Sequence, residues 1–279
     1  MSNLTLTLTN AIIVIIFYNL EREMRLVVKV GTSTLTHPSG MLNIRHMEAF
    51  CKVLSDIKNQ GNEVIIVSSG AIAMGIGKLS LKKRPEDIPT RQATAAVGQC
   101  ELMYTYDKLF GEYNHTVAQL LLTNSFINNE KMHTNFINTI SRLLEMDVIP
   151  IINENDTVST DEICIGDNDT LGAIVSVSAK ADLLVLLSDI DGLYTADPHK
   201  DCDARLISKV YEIDENIIAL GGGKGSSLGT GGMATKLRAA QICNEAGTEM
   251  VIANGEDPEG LYRILDGEDV GTRFLPAQS

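Results

Sequence analysis

"DLLVLLSD", residues 182–189, decides the fold. Its apolar run leaves no polar face for water, so a strand built from it is buried on both sides. "RLVVKV" (25–30), "EVIIVSSG" (63–70), "VAQLLLT" (117–123), "VIPIIN" (148–153) and "EMVIAN" (249–254) also read as strands. Helical patterns alternate with them. "RHMEAFCKVLSDIKNQG" (45–61) puts Met47, Phe50, Leu54 and Ile57 on one face and stops at Gly61, a C-cap residue type. Residues 90–113, "NFINTISRLLEMD" (135–147), "TLGAIVSVSAKA" (170–181) and "GMATKLRAAQICNEAG" (232–247) read as further helices. Strands and helices in alternation predict an α/β fold, a mainly parallel sheet with helices on both faces. Ligands of such sheets bind beyond the C-terminal ends of the strands, so the residues at the strand exits are where chemistry is expected.

Composition narrows the partners. The chain has 279 residues, 44% apolar and 21% charged, with a formal net charge of −13. That suits one compact α/β unit, repels nucleic-acid backbones and anionic membranes, and leaves a local ATP site open. Cys51, Cys100, Cys164, Cys202 and Cys243 are odd in number with no C-x-x-C pair, which fits reduced thiols in the cytoplasm rather than disulfides or zinc. His37, His46, His115, His133 and His199 form no H-x-x-x-H pair, so no transition-metal site is expected. "AIIVIIFY" (11–18) is too short for a bilayer span and lacks the flanks of a signal peptide. We therefore expect residues 1–23 to be an extension and 24–279 a single domain.

Five strand exits are polar or glycine-rich: Lys29 to Ser33, Ser68 to Ala71, Asn153 to Asp156 continuing to "GDND" (166–169), Ser188-Asp189, and the loop "LGTGGMATK" (228–236). That loop fails the Walker spacing. It matches G-x-G-x-x-A at Gly229, Gly231 and Ala234, but no strand precedes it. "GSSLG" (225–229) resembles a nucleophile elbow, yet no histidine follows it in the chain. What remains is a glycine-rich loop entering a helix near Gly232 or Met233, whose free N–H groups suit phosphate oxygens, with Lys236 in the first turn. Lys29 lies inside an apolar strand, where a lysine is costly to bury unless it faces a partner or a ligand. Two lysines from opposite ends of the chain could flank a phosphoryl group in transfer. Asp156, Asp167 and Asp169 could order those lysines, hold a substrate ammonium, or bind Mg²⁺ through water.

Together "VVKVGTS", "VSSGAIAMG", "INENDTV", "GDND", "GLYTADP" and "LGTGGMATK", in this order, resemble the glutamate 5-kinase branch of the amino-acid kinase family over residues 25–272. The resemblance implies a three-layer αβα sandwich around a mainly parallel, roughly eight-stranded open sheet. It implies L-glutamate in the N-terminal half, ATP with Mg²⁺ in the C-terminal half, and transfer of the γ-phosphoryl to the side-chain carboxylate as the first step of proline biosynthesis. Lys29, Lys236 and Asp169 match the catalytic positions; Ser69, Asp156 and Asn168 match the glutamate-binding positions. Ser188, Asp189 and the run Thr230, Gly231, Gly232, Met233, Ala234, Thr235 and Lys236 match the ATP site, which Lys29 also touches. No resident metal ligand is implied. Members resembling this chain are homo-oligomers, and many carry a C-terminal RNA-binding-like module for which 279 residues leave no room. Feedback by proline would act through loops at 80–95 and 157–165. The competing readings are a related kinase with another acceptor, and an inactive glutamate or proline sensor. A substrate panel separates the first and turnover the second.

Overall fold

The computed structural model describes residues 24–123, 126, 129–158, 167–198, 200–222 and 232–276. Its first half runs β1 (Arg25–Val30), α1 (Thr32–Leu35), α2 (Ile44–Asn59), β2 (Glu63–Ser68), α3 (Ala71–Lys78), α4 (Ile88–Gly111), β3 (Val117–Leu122), α5 (Glu130–Glu145) and β4 (Ile149–Glu154). The second half runs α6 (Asn168–Ser178), β5 (Leu183–Ser188), β6 (Lys209–Val210), α7 (Glu215–Leu220), α8 (Met233–Glu245), β7 (Glu249–Asn254), α9 (Gly260–Leu265) and β8 (Thr272–Phe274). The described strands form one eight-stranded sheet in the order β3-β4-β2-β1-β5-β7-β8-β6. Its pairings are parallel except β7 with β8.

Alternation along the central strands builds two cores. Val28, Val30, Val64 and Ile66 face α2, α4 and α9 through Met47, Phe50, Leu54, Ile57, Tyr106 and Ile264. Val27, Ile65, Leu184 and Leu186 face α5, α6 and α8 through Phe136, Ile140, Leu171, Val175 and Leu237. Every residue of β5 is buried, as its unbroken apolar run requires. Each such side chain contributes roughly 1.5–3 kcal/mol relative to exposure. β3 is the sheet edge, which is why its residues are only partly covered and Gln119 is tolerated there.

Helix starts follow local polar chemistry. Asn43, Asp87, Asn129, Asp167 and Asp214 each accept the backbone N–H three residues on, at the first turns of α2, α4, α5, α6 and α7. The helix ending expected at Gly61 stops at Asn59, with Gln60 as cap and Gly61 following at φ +95°. The short β6 and β8 are not legible in the sequence, because two or three residues carry no periodicity.

The topology places the cleft. The chain leaves β1 toward β2 and leaves β5 toward β7, so the crossovers diverge between neighbouring β1 and β5. A crevice opens at the C-terminal ends of strands that diverge in this way. Gly70, at φ +98°, turns β2 directly into α3. Gly75 and Gly98 then let α3 and α4 touch backbone to backbone. A Cβ on Gly98 would lie 1.7 Å from the Ala71 carbonyl oxygen, and one on Gly75 would lie 2.0 Å from that of Thr94.

Candidate active site

A cleft of about 590 Å³ lies over the ends of β1, β2, β4 and β5. Lys29, Ser69, Asp156, Asn168, Asp169, Ser188, Asp189 and Lys236 all line it. Lys29 emerges from β1 on the α6 side. Gly172 of α6 makes room for its stem: a Cβ on Gly172 would stand 3.5 Å from the Lys29 Cβ. Asp169 opens α6 one residue after Asn168, because Asp167 caps that helix through the Thr170 N–H at 2.7 Å. Lys236 and Thr235 come from the first turn of α8.

These elements converge on one carboxylate. The Lys29 Nζ lies 2.6 Å from Asp169 Oδ1, and the Lys236 Nζ lies 3.1 Å from Asp169 Oδ2. The Thr235 hydroxyl donates to the same Oδ2 at 2.9 Å. All of these side chains are buried; Asp169 is 1% exposed. Burial alone would push the Asp169 carboxyl up, but the ammonium groups of Lys29 and Lys236 outweigh it and hold the group below the usual carboxylate value. One anion between two cations leaves a net positive charge facing the cleft. That arrangement suits an anion carrying more charge than a carboxylate, such as a phosphoryl group.

A polar wall stands beside it. Asn168 Nδ2 shares its two hydrogens among Ser69 Oγ at 2.7 Å, the Ser68 carbonyl at 3.1 Å and Asn153 Oδ1 at 3.1 Å. Asn153 in turn donates to Gln99 Oε1 at 2.9 Å. Asp156 lines the same region. Burial first, then the neighbouring Glu154, raises its carboxyl to about 6, against the opposing pull of Arg91 and Arg84. At the other end, the Ser188 hydroxyl donates to Asp189 Oδ1 at 3.0 Å.

The loop at 228–236 is only partly in view. Thr230 and Gly231 lie outside the described residues. Gly232, Met233 and Ala234 begin α8 but are not among the residues lining the cleft, and Thr235 acts on Asp169 rather than on the cleft directly. Gly232 caps α8 without a side-chain acceptor, which leaves the helix terminus open to an anion. Sequence reasoning missed Arg84 and Arg91, both in the lining. A usable signal existed for Arg91: it stands in the opening turns of α4, where the helix dipole disfavours a cation. Of the carboxylates in the lining, Asp167 holds Thr170 and Asp169 holds the two lysines, while Glu154, Asp156 and Asp189 also stand there. The exposed grouping of Asp201, Cys202 and Asp203 has metal-ligand spacing but lies outside the cleft lining.

The sequence profile described as "Amino acid kinase family" matches residues 24–254. A protein of Clostridium perfringens named "Glutamate 5-kinase" is 54% identical over 260 residues, covering 92% of this chain and 97% of that protein. One of the same name from Clostridium acetobutylicum is 56% identical over 257 residues, covering 92% and 96%. Among solved structures, carbamate kinase from Giardia lamblia bound to AMP-PNP superposes with a TM-score of 0.65 at 16% identity, over 91% of this chain and 99% of that one, a likeness of fold alone. By profile, by close relatives over nearly its full described length and by sheet topology, the chain belongs to the amino acid kinase family.

Proposed function

We propose that the chain phosphorylates the side-chain carboxylate of L-glutamate with ATP, giving L-glutamyl 5-phosphate and ADP, the reaction that opens proline biosynthesis. The observation that carries this reading is the buried Lys29–Asp169–Lys236 bridge at the mouth of β1. The chemistry needs no general base. A carboxylate with a pKa of about 4 is already ionised at neutral pH, so it attacks the γ-phosphorus directly. One carboxylate O–P bond forms, the bond from the γ-phosphorus to the bridging oxygen breaks, and ADP leaves with that electron pair. The obstacle is repulsion between two anions. Lys29 and Lys236 counter it from either side, and Asp169 holds both ammonium groups in place.

The remaining assignments follow from position. Ser69, Asn168 and Asp156 hold glutamate, with Asp156 facing its ammonium. Ser188, Asp189 and the start of α8 hold the nucleotide. Mg²⁺ arrives with ATP as part of the substrate. Residues 24–279 act as one domain, with glutamate toward the N-terminal half and ATP toward the C-terminal half. Feedback by proline, a homo-oligomeric state and a cytoplasmic setting complete the reading. No helix among the described residues is long and apolar enough to cross a membrane.

The test is ATP-dependent acyl-phosphate formation by the purified chain, trapped with hydroxylamine and paired with ADP detection. L-glutamate, L-aspartate, N-acetylglutamate and UMP are run in parallel. Hydroxamate from L-glutamate alone is the expected outcome. Product from another acceptor only, or none with ATP bound, overturns the reading.

A further inference from the structure

The L-glutamate reading, on which this inference rests, leaves two cations of the cleft without a role. Arg84 and Arg91 line it together with Asp156 and the apolar residues Ile72, Ala73 and Ile76. They come from the segment joining α3 to α4 and from the opening turns of α4, on the acceptor side of the cleft. Both act electrostatically on Asp156.

Two observations point to an anion there. First, L-glutamate carries two carboxylates, and the Lys29–Asp169–Lys236 bridge serves only the one that is phosphorylated. The other must enter a cleft already lined by Glu154, Asp156, Asp167 and Asp189, in a chain of net charge −13. Without a local cation it would be repelled. Second, the backbone that carries Arg91 packs closely on α3: Thr94, three residues on, lies against Gly75, and Gly98 lies against Ala71. A guanidinium fork presented from that helix matches a carboxylate with two parallel hydrogen bonds. Ile72, Ala73 and Ile76 supply an apolar wall for the methylenes between the two ends of the acceptor.

We propose that Arg91, assisted by Arg84, binds the α-carboxylate of the acceptor and thereby selects an amino acid over other phosphoryl acceptors. Asp156 and Arg91 then form a charge pair complementary to the zwitterionic end of glutamate, while the lysine bridge addresses the reacting end. Arg84, more exposed than Arg91, lines the same cleft.

The experiment compares L-glutamate with 4-aminobutyrate, which is glutamate without its α-carboxylate. ADP release is measured for the wild-type chain and for Arg91→Gln, Arg91→Lys and Arg84→Gln. 4-Aminobutyrate is also run as a competitor against glutamate. Arg91→Gln should raise the KM for glutamate by about 10- to 100-fold, the effect of losing a charge-assisted hydrogen bond. The KM for ATP and the Ki of 4-aminobutyrate should not move. Arg91→Lys should recover part of the loss, and Arg84→Gln should show a smaller rise. An unchanged glutamate KM in Arg91→Gln beside an active wild type overturns this assignment alone. An equal loss for glutamate and 4-aminobutyrate also overturns it, because it marks a general distortion. A wild-type chain that makes no ADP from glutamate overturns the activity reading and this assignment with it.

Discussion

Replacing Asp169 by asparagine removes one charge and almost no volume, and the structure gives the size of the effect. The carboxylate lies 2.6 Å from one ammonium and 3.1 Å from the other. At an effective dielectric of about 20, these contacts are worth roughly 6 and 5 kcal/mol before desolvation is subtracted. Removing one partner of a buried pair costs about 3–5 kcal/mol net. Here the lost partner is shared, so two buried cations are left facing each other and the upper end of that range applies. Against a total stability of about 5–15 kcal/mol the change is large. At roughly 2–4 °C per kcal/mol, the Tm falls by about 10 °C or more. The assay is a thermal melt of Asp169→Asn and wild type at pH 7 and pH 9.5, each with and without Mg²⁺ and an imido analogue of ATP. Buried ammonium groups without a counter-ion have lowered pKa values, so the unfolded chain binds more protons and the stability of the variant rises with pH. The deficit should therefore shrink at pH 9.5. The analogue should raise the Tm of the variant more than that of wild type, because its phosphates replace the missing anion. A variant melting within about 2 °C of wild type at both pH values would refute the counter-ion role of Asp169.

Other outcomes test separate parts of the site. Lys236→Ala should lower kcat by about 10²–10³, the loss expected from one electrostatic donor at the developing charge, and near wild-type turnover in a steady-state assay would exclude it from the mechanism. Asp156, with its carboxyl at about 6, should make glutamate kcat/KM fall about tenfold between pH 7 and pH 5, a dependence that Asp156→Asn should abolish. The same raised value means that Asp156 destabilises the fold as pH rises from 3.8 through about 6. Denaturant titration at pH 8 should then find Asp156→Asn more stable than wild type by up to about 3 kcal/mol. Gly98→Ala would drive a Cβ to 1.7 Å from the Ala71 carbonyl oxygen, so calorimetry should show a loss of about 1–3 kcal/mol or more, with a raised glutamate KM as α4 moves.

Much of this was legible in the sequence for a physical reason. A strand such as β5, apolar at every position, has only one environment that satisfies it, so its burial and its place in a parallel sheet are readable in advance. Lys29 was conspicuous by the same logic, as a charge inside such a strand. Its partner was not. Asp169 lies in "GDND", which reads as an acidic turn, and only folding brings it to two lysines from distant elements. Arg84 and Arg91 fell within a stretch expected to form a regulatory loop. The close approach of α3 and α4 at Gly75 and Gly98, which sets the helix that carries Arg91, is not something periodicity reports. Thr230 and Gly231 lie outside the described residues, and β6 and β8 are too short to leave a pattern.

The lysine bridge also orders events in time. Lys29 belongs to the first strand of the described fold, Asp169 to its middle and Lys236 to α8. As the chain leaves the ribosome, β1 and its lysine emerge early, but no counter-ion exists for that lysine until α6 has been made. The carboxylate is then shared with its second cation only when α8 docks. A chain halted before α8 has only one of the two cations, so the net positive charge that Lys29, Asp169 and Lys236 present to the cleft is completed late in synthesis, with the docking of one helix. On the function proposed above, incomplete chains would then have no site with which to spend ATP.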